Sequence, residues 1–112
     1  GAADLGALAH LRADPTLAGA WGERATMVQF SSSFCAPCRT TRVLLADLAS
    51  TRPGVAHVEI DAESHLELVR ELGISRTPTT LVIDAQGREI ARAAGAPTRA
   101  QVEAVLAEVA PQ

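Results

Sequence analysis

The chain is predicted to adopt an α/β fold, a central mixed β-sheet with helices on both faces. Three observations point to it. Apolar strand-like runs alternate with helical patterns through the middle of the chain, in the order β-α-β-α-β. A turn then leads into a strand that pairs back, and an amphipathic helix follows. The strand runs are short and continuously apolar, the mark of a sheet covered on both faces. At 112 residues the chain fits one domain, and hydrophobic residues make up 47% of it. Aromatics are only 3%, so aliphatics and alanine must fill the core.

The elements follow in order. Residues 1–24 are expected to be an N-terminal helical segment of the same domain, and residues 25–112 its core. Leu5, Leu8 and Leu11 fall three apart, a short helix that Asp4 could cap. Asp14-Pro15 is a helix-start signal. Trp21 is expected to close one edge of the core. Residues 25–32 read as a buried strand with Gln29 as its odd member, and residues 36–50 as a helix with Val43, Leu44, Leu45 and Leu48 on its buried side. Pro37 is tolerated in the first turn of that helix. Arg52-Pro53-Gly54 is a loop, and Val55 to Asp61 the next strand. Ser64-His65-Leu66-Glu67 has the form of a capping box, opening a helix through Leu66, Val69 and Leu72 that stops at Gly73. Thr79 to Ile83 is a strand, Asp84 to Gly87 a turn, and Arg88 to Ala93 the returning strand. Thr98-Arg99-Ala100-Gln101 is a second capping box. Val102, Val105, Leu106 and Val109 then repeat at helical spacing.

The stretch from Phe30 to Arg39 holds both cysteines, Cys35 and Cys38. They stand where a strand turns into a helix. The first helical turn has unpaired N–H groups and positive partial charge, which favour a thiolate. Cys35 therefore reads as an exposed nucleophile and Cys38, one turn inside, as its resolving partner. Two cysteines are too few for a disulfide-stapled scaffold, so the pair is expected to be functional.

Composition narrows the alternatives. Net charge is −3 and the basic residues are scattered, so no nucleic-acid surface is expected. All ten cationic residues are arginine, which removes lysine as a base or Schiff-base former. No apolar run approaches membrane-spanning length and no signal-peptide pattern appears. The chain begins with Gly rather than Met, which leaves room for an upstream anchor or signal. C-x-x-C with histidines can bind zinc, but His10, His57 and His65 lack the paired spacing, and no metal is expected. There is no Ser-His-Asp arrangement and no Gly-rich phosphate loop. Glu59 reads as an edge charge, and Asp61 as a cap on the loop after its strand. Arg39 and Arg42 follow the cysteines, either lowering the Cys35 pKa or standing solvated.

Cys35-Ala36-Pro37-Cys38 at a strand-to-helix turn, Arg76-Thr77-Pro78-Thr79 before a later strand, and Gly95-Ala96 after the hairpin together resemble the thioredoxin family. The likeness runs from about Ala25 to Val109. It implies a thioredoxin-like fold and a cis-proline at Pro78. It also implies that Thr77 docks an extended substrate chain by β-type pairing, with Gly95 beside the substrate groove. Phe34, Ala36 and Pro37, with Pro78 and Ala94, would form the apolar rim that meets the substrate. Two departures stand out. Gln29 occupies the place of the family's buried acid, and Gln cannot accept a proton at neutral pH. His57 stands where a lysine is usual, which makes it a candidate proton acceptor, or else a spacer bonded to Gln29. Ser31 and Ala36 replace an upstream Trp and a Gly, which alters the partner surface but not the sulfur chemistry.

The resemblance implies a thiol–disulfide oxidoreductase that reduces protein disulfides through a Cys35–Cys38 cycle. No cofactor beyond that redox-active disulfide is expected. The expected partners are disulfide-bearing proteins and an upstream reductase or membrane electron donor, and a monomer is expected. The Pro between the cysteines, without a His, points to a reductant rather than an oxidant or isomerase. Alternatives are a non-enzymatic binding or redox-sensing module and an extracytoplasmic thiol oxidant. Two compartments stay open: the cytoplasm, or the outside of a membrane if an N-terminal anchor was removed.

Overall fold

The computed structural model describes residues 8–109. Its main elements, after a helical stretch at residues 8–12, are four strands and three helices. They are β1 (Ala25–Ser31), α1 (Ala36–Thr51), β2 (Val55–Asp61), α2 (Leu66–Glu71), β3 (Thr79–Asp84), β4 (Glu89–Ala94) and α3 (Arg99–Ala107). The sheet order is β2-β1-β3-β4. β1 and β2 are parallel, whereas β3 is antiparallel to β1 and to β4. The strand after α2 thus reverses direction despite the intervening helix. Helix α2 has six residues and so covers about 9 Å at 1.5 Å per residue. That is too short to carry the chain back along β2. The chain therefore enters β3 near the end where β2 leaves, with Thr79 opposite Phe30.

Every residue of β1 is buried, because the sheet is covered on both faces. Val28 and Phe30 point one way, into a core with Leu8, Leu11, Val58, Ile60, Leu81 and Ile83. Ala25 and Met27 point the other way, towards Leu45, Leu48, Val82, Val102 and Leu106. Strict alternation places Gln29 on the second face, beneath α1. Residues 8–12 are helical, with Leu8 and Leu11 buried, while Asp4 and Leu5 lie outside the described residues. Asp14 caps a 3₁₀ turn at Pro15–Leu17 by accepting from the Thr16 N–H at 2.9 Å. Trp21 packs half-buried against the first core, and the Arg12 guanidinium stands 5.9 Å from its ring centre.

Three local expectations change. Val43 is 70% exposed, and the buried side of α1 is Cys38, Thr41, Leu45 and Leu48. At about 100° per residue, Val43 falls roughly opposite Leu45 and Leu48. Cys38 and Thr41 fill stripe positions that hydropathy does not reveal. Ser64 is not the cap of α2. Asp61 first caps a 3₁₀ turn at Ala62–Ser64, and the Ser64 hydroxyl donates back to Asp61 at 2.8 Å. The N-cap then falls on His65, without a side-chain cap bond, and Leu66 is 61% exposed. The returning strand begins at Glu89 rather than Arg88, after Gly87 takes a positive φ of 84°. The Thr98–Gln101 capping box forms as the spacing predicts.

Leu45→Ala is expected to destabilise the fold by about 2–5 kcal/mol, since it opens a cavity between α1 and the sheet. Val43→Ala is expected to stay within about 0.5 kcal/mol. Urea unfolding of the two variants distinguishes the stripe observed here from one that includes Val43.

Candidate active site

The two sulfurs are joined in a disulfide, with the Cα atoms 5.2 Å apart. Cys35 is the N-cap of α1, and the Cys38 N–H donates to the Cys35 sulfur at 3.2 Å. That donor is one of the first-turn N–H groups a helix leaves without a helical partner. In the reduced state that N–H is placed to donate to a thiolate at Cys35. Cys38 is 1% exposed, whereas Cys35 is partly open to solvent, flanked by exposed Ala36 and Pro37. The nucleophile and resolving roles thus fall on an accessible and a covered sulfur.

The loop before Cys35 is fixed from outside. Phe34 has φ +56°, the left-handed region that a bulky residue adopts rarely, and its ring stands fully exposed. Ser32 and Thr77 share a hydroxyl–hydroxyl bond of 2.7 Å. The Ser33 N–H donates to the Glu63 carboxylate at 2.9 Å. These bonds tie the loop to the segment before β3 and to the segment after β2. Neither Ser32, Ser33 nor Glu63 was singled out by sequence reasoning. No periodicity marks them, since each lies in a loop or short turn and its partner is distant in the chain.

The Thr77–Pro78 peptide bond is cis, and Pro78 is buried. The Gly95 N–H donates to the Pro78 carbonyl at 2.8 Å. Gly95 has φ +88°, which suits glycine. Among the described residues, the Thr77 N–H and C=O make no hydrogen bond. Thr77, Pro78 and Gly95 are therefore one assembly, tied to the C-A-P-C loop through the Ser32–Thr77 bond.

Beneath the cysteines lies Gln29, fully buried. Its amide donates to the Cys38 carbonyl at 2.9 Å and to the Ser31 hydroxyl at 3.0 Å. A carbonyl only accepts, so the amide orientation is set. The Gln29 carbonyl oxygen then accepts from Nε2 of His57 at 2.9 Å. Nε2 consequently carries the hydrogen, and Nδ1 is the ring's basic atom. Burial lowers the His57 pKa below its ordinary value; Glu59 nearby raises it and Arg42 lowers it further. The ring is neutral at pH 7. Glu59 is an exposed charge on the edge strand β2, as expected, and it has a partner. Arg42 grips it with two bonds of 2.6 and 2.8 Å. The Arg42 bond, with help from the Ser31 hydroxyl, holds the Glu59 carboxyl below the usual range. Arg42 is therefore committed to Glu59, while Arg39 is exposed on the first turn of α1. Among the described residues, no group of His, Cys, Asp and Glu is arranged to hold a metal.

His57 gives this network a pH signature. Its folded pKa lies below the value of about 6.5 expected in the unfolded chain. The unfolded state therefore binds the proton more readily, and stability falls as pH drops through that unfolded value. The urea midpoint of wild type is expected to fall between pH 7.5 and 5.5, and His57→Asn to flatten that fall.

The chain matches the model of the family described as Thioredoxin-like domain over residues 11–110. It is 35% identical over 88 residues to the human protein named Thioredoxin domain-containing protein 2, covering 79% of this chain but 16% of that protein. It is 28% identical to Thioredoxin H-type 1 of Nicotiana tabacum, covering 80% of this chain and 70% of the relative. The chain thus spans a small part of one relative and most of the other. The crystal structure of reduced Schistosoma mansoni thioredoxin pre-protein superposes with a TM-score of 0.68 at 26% identity, over 80% of this chain and 82% of that one. A C-x-x-C pair at disulfide distance in this fold is the equipment of thiol–disulfide exchange, and the chain belongs to the thioredoxin family.

Proposed function

We propose that this chain reduces disulfides in protein substrates, cycling Cys35 and Cys38 between dithiol and disulfide. The observation that carries the reading is the asymmetry of the pair. Cys35 is open and receives the Cys38 N–H, whereas Cys38 is covered. Cys35 thiolate attacks one sulfur of the substrate disulfide, and the other leaves as a thiolate that takes up a proton. Cys38, giving up its proton, then attacks the Cys35 sulfur and releases the second substrate sulfur as a thiolate. Two electrons pass to the substrate, and the chain is left as the Cys35–Cys38 disulfide. An upstream reductase or a membrane electron donor restores the dithiol. The redox couple is the cysteine pair itself.

Thr77 offers its unpaired backbone N–H and C=O to an extended substrate strand. Phe34, Ala36, Pro37 and Ala94 supply exposed surface around the sulfur. Pro37 between the cysteines, with no His beside it, favours a reductant, which works as a monomer in a reducing compartment such as the cytoplasm. His57 is the candidate acceptor of the Cys38 proton. The bond from its Nε2 to Gln29 is the contact that the other reading, a spacer bonded to Gln29, requires. If His57 instead only buttresses Gln29, His57→Ala leaves the pH profile of thiol exchange unchanged.

Equilibration with glutathione is expected to place the pair near the thioredoxin range, roughly −270 mV. A value around −180 to −120 mV overturns the reductant reading in favour of an isomerase or oxidant outside the cytoplasm. In an insulin reduction assay, Cys35→Ser is expected to abolish turnover. Cys38→Ser is expected to accumulate a mixed disulfide through Cys35. Wild type that equilibrates but never turns over insulin would mark a binding or sensing module.

A further inference from the structure

Arg76 stands immediately before Thr77, and its side chain reaches across to the loop after β4. A Cβ placed on Gly95 would lie 3.4 Å from one terminal nitrogen of its guanidinium and 3.6 Å from the central carbon. The planar fork therefore lies beside Gly95, at a distance that leaves ordinary van der Waals contact. The residue is exposed, and among the described residues its guanidinium has no carboxylate partner. Glu63, which lines the same cleft as Arg76, accepts from the Ser33 N–H. Arg42 is likewise taken by Glu59. The chain as a whole is acidic, with net charge −3. A guanidinium open to partners beside the docking edge is thus a local exception to the overall field.

We propose that Arg76 is a specificity-determining residue that selects substrates carrying a carboxylate next to the reacting cysteine. The proposal rests on the reading that Thr77 and Gly95 flank the bound substrate strand. An extended chain advances about 3.3 Å per residue. On that reading, a side chain one or two positions from the substrate cysteine passes the Thr77–Gly95 edge, beside which the fork lies. Five N–H donors in a rigid plane fit a carboxylate bidentately, and a neutral amide satisfies them less well. The pair is solvent-exposed, so the preference is modest and falls with salt.

The test uses prereduced protein and two synthetic peptide disulfides that differ only in Glu or Gln beside the cysteine. The second-order rate of each is followed at low and at 1 M salt. Wild type is expected to favour the Glu peptide about two- to five-fold at low salt. Most of that preference is expected to vanish at 1 M salt. Arg76→Gln is expected to equalise the two peptides while leaving the Gln-peptide rate unchanged, and Arg76→Lys to retain part of the preference. Equal rates in wild type overturn the proposal but leave the reductase reading standing. A preference that survives in Arg76→Gln and disappears in Arg39→Gln overturns it in favour of the other exposed arginine. Failure of wild type to reduce either peptide overturns the reductase reading and the proposal together.

Discussion

A carboxamide without charge, sealed between a sheet and a helix, must find partners for both of its ends. An orphaned buried donor or acceptor costs about 1–3 kcal/mol. Gln29 meets that demand by gathering three different elements around itself. It holds the Cys38 carbonyl of α1, the Ser31 hydroxyl at the end of β1, and the His57 ring of β2. This one side chain ties the start of the helix, and with it the resolving Cys38, to the two strands beneath. A substitution that removed the amide would strip the Cys38 carbonyl of its donor at a fully buried position.

Around this centre the polar groups form a graded series, from neutral and buried to charged and exposed. Gln29 leads to Ser31, and Ser31 leads to Glu59, which Arg42 anchors at the surface. The ion pair carries the charge, and the interior carries only dipoles. This ordering follows the cost of desolvation, which is severe for an isolated carboxylate and modest for an amide with its bonds made. The chain therefore keeps a polar connection beneath its cysteines without burying an acid.

Much of the fold could be read from the residues, because its signals were local. The Thr98–Gln101 box, the helical spacing of Val102 and Leu106, and the apolar run of β1 each state their own structure, whereas Val109 is buried beyond the helix end. The strand-to-helix turn announced Cys35 as an accessible N-cap for the same reason. What stayed hidden was settled by distant partners. Val43 is apolar yet exposed, since Cys38 and Thr41 occupy the face that hydropathy assigns to larger residues. Ser64 has the chemistry of a cap but is claimed first by Asp61. The reversal of β3 depends on the length of α2, not on any motif. The clamps from Ser32 to Thr77 and from Ser33 to Glu63 join residues 45 and 30 positions apart.

The unequal cover over the two sulfurs reaches beyond catalysis. Once the bond between them is opened, the protein holds two thiols by composition but presents one to a bulky electrophile. Mild alkylation of the dithiol form is set to stop at a single adduct on Cys35, leaving Cys38 unmodified beneath it. In its stoichiometry with such reagents the chain behaves as a one-thiol protein. Its full cysteine count becomes visible only when the helix above Gln29 unfolds. A labelling curve with two separated steps is therefore also a gauge of local opening at the start of α1.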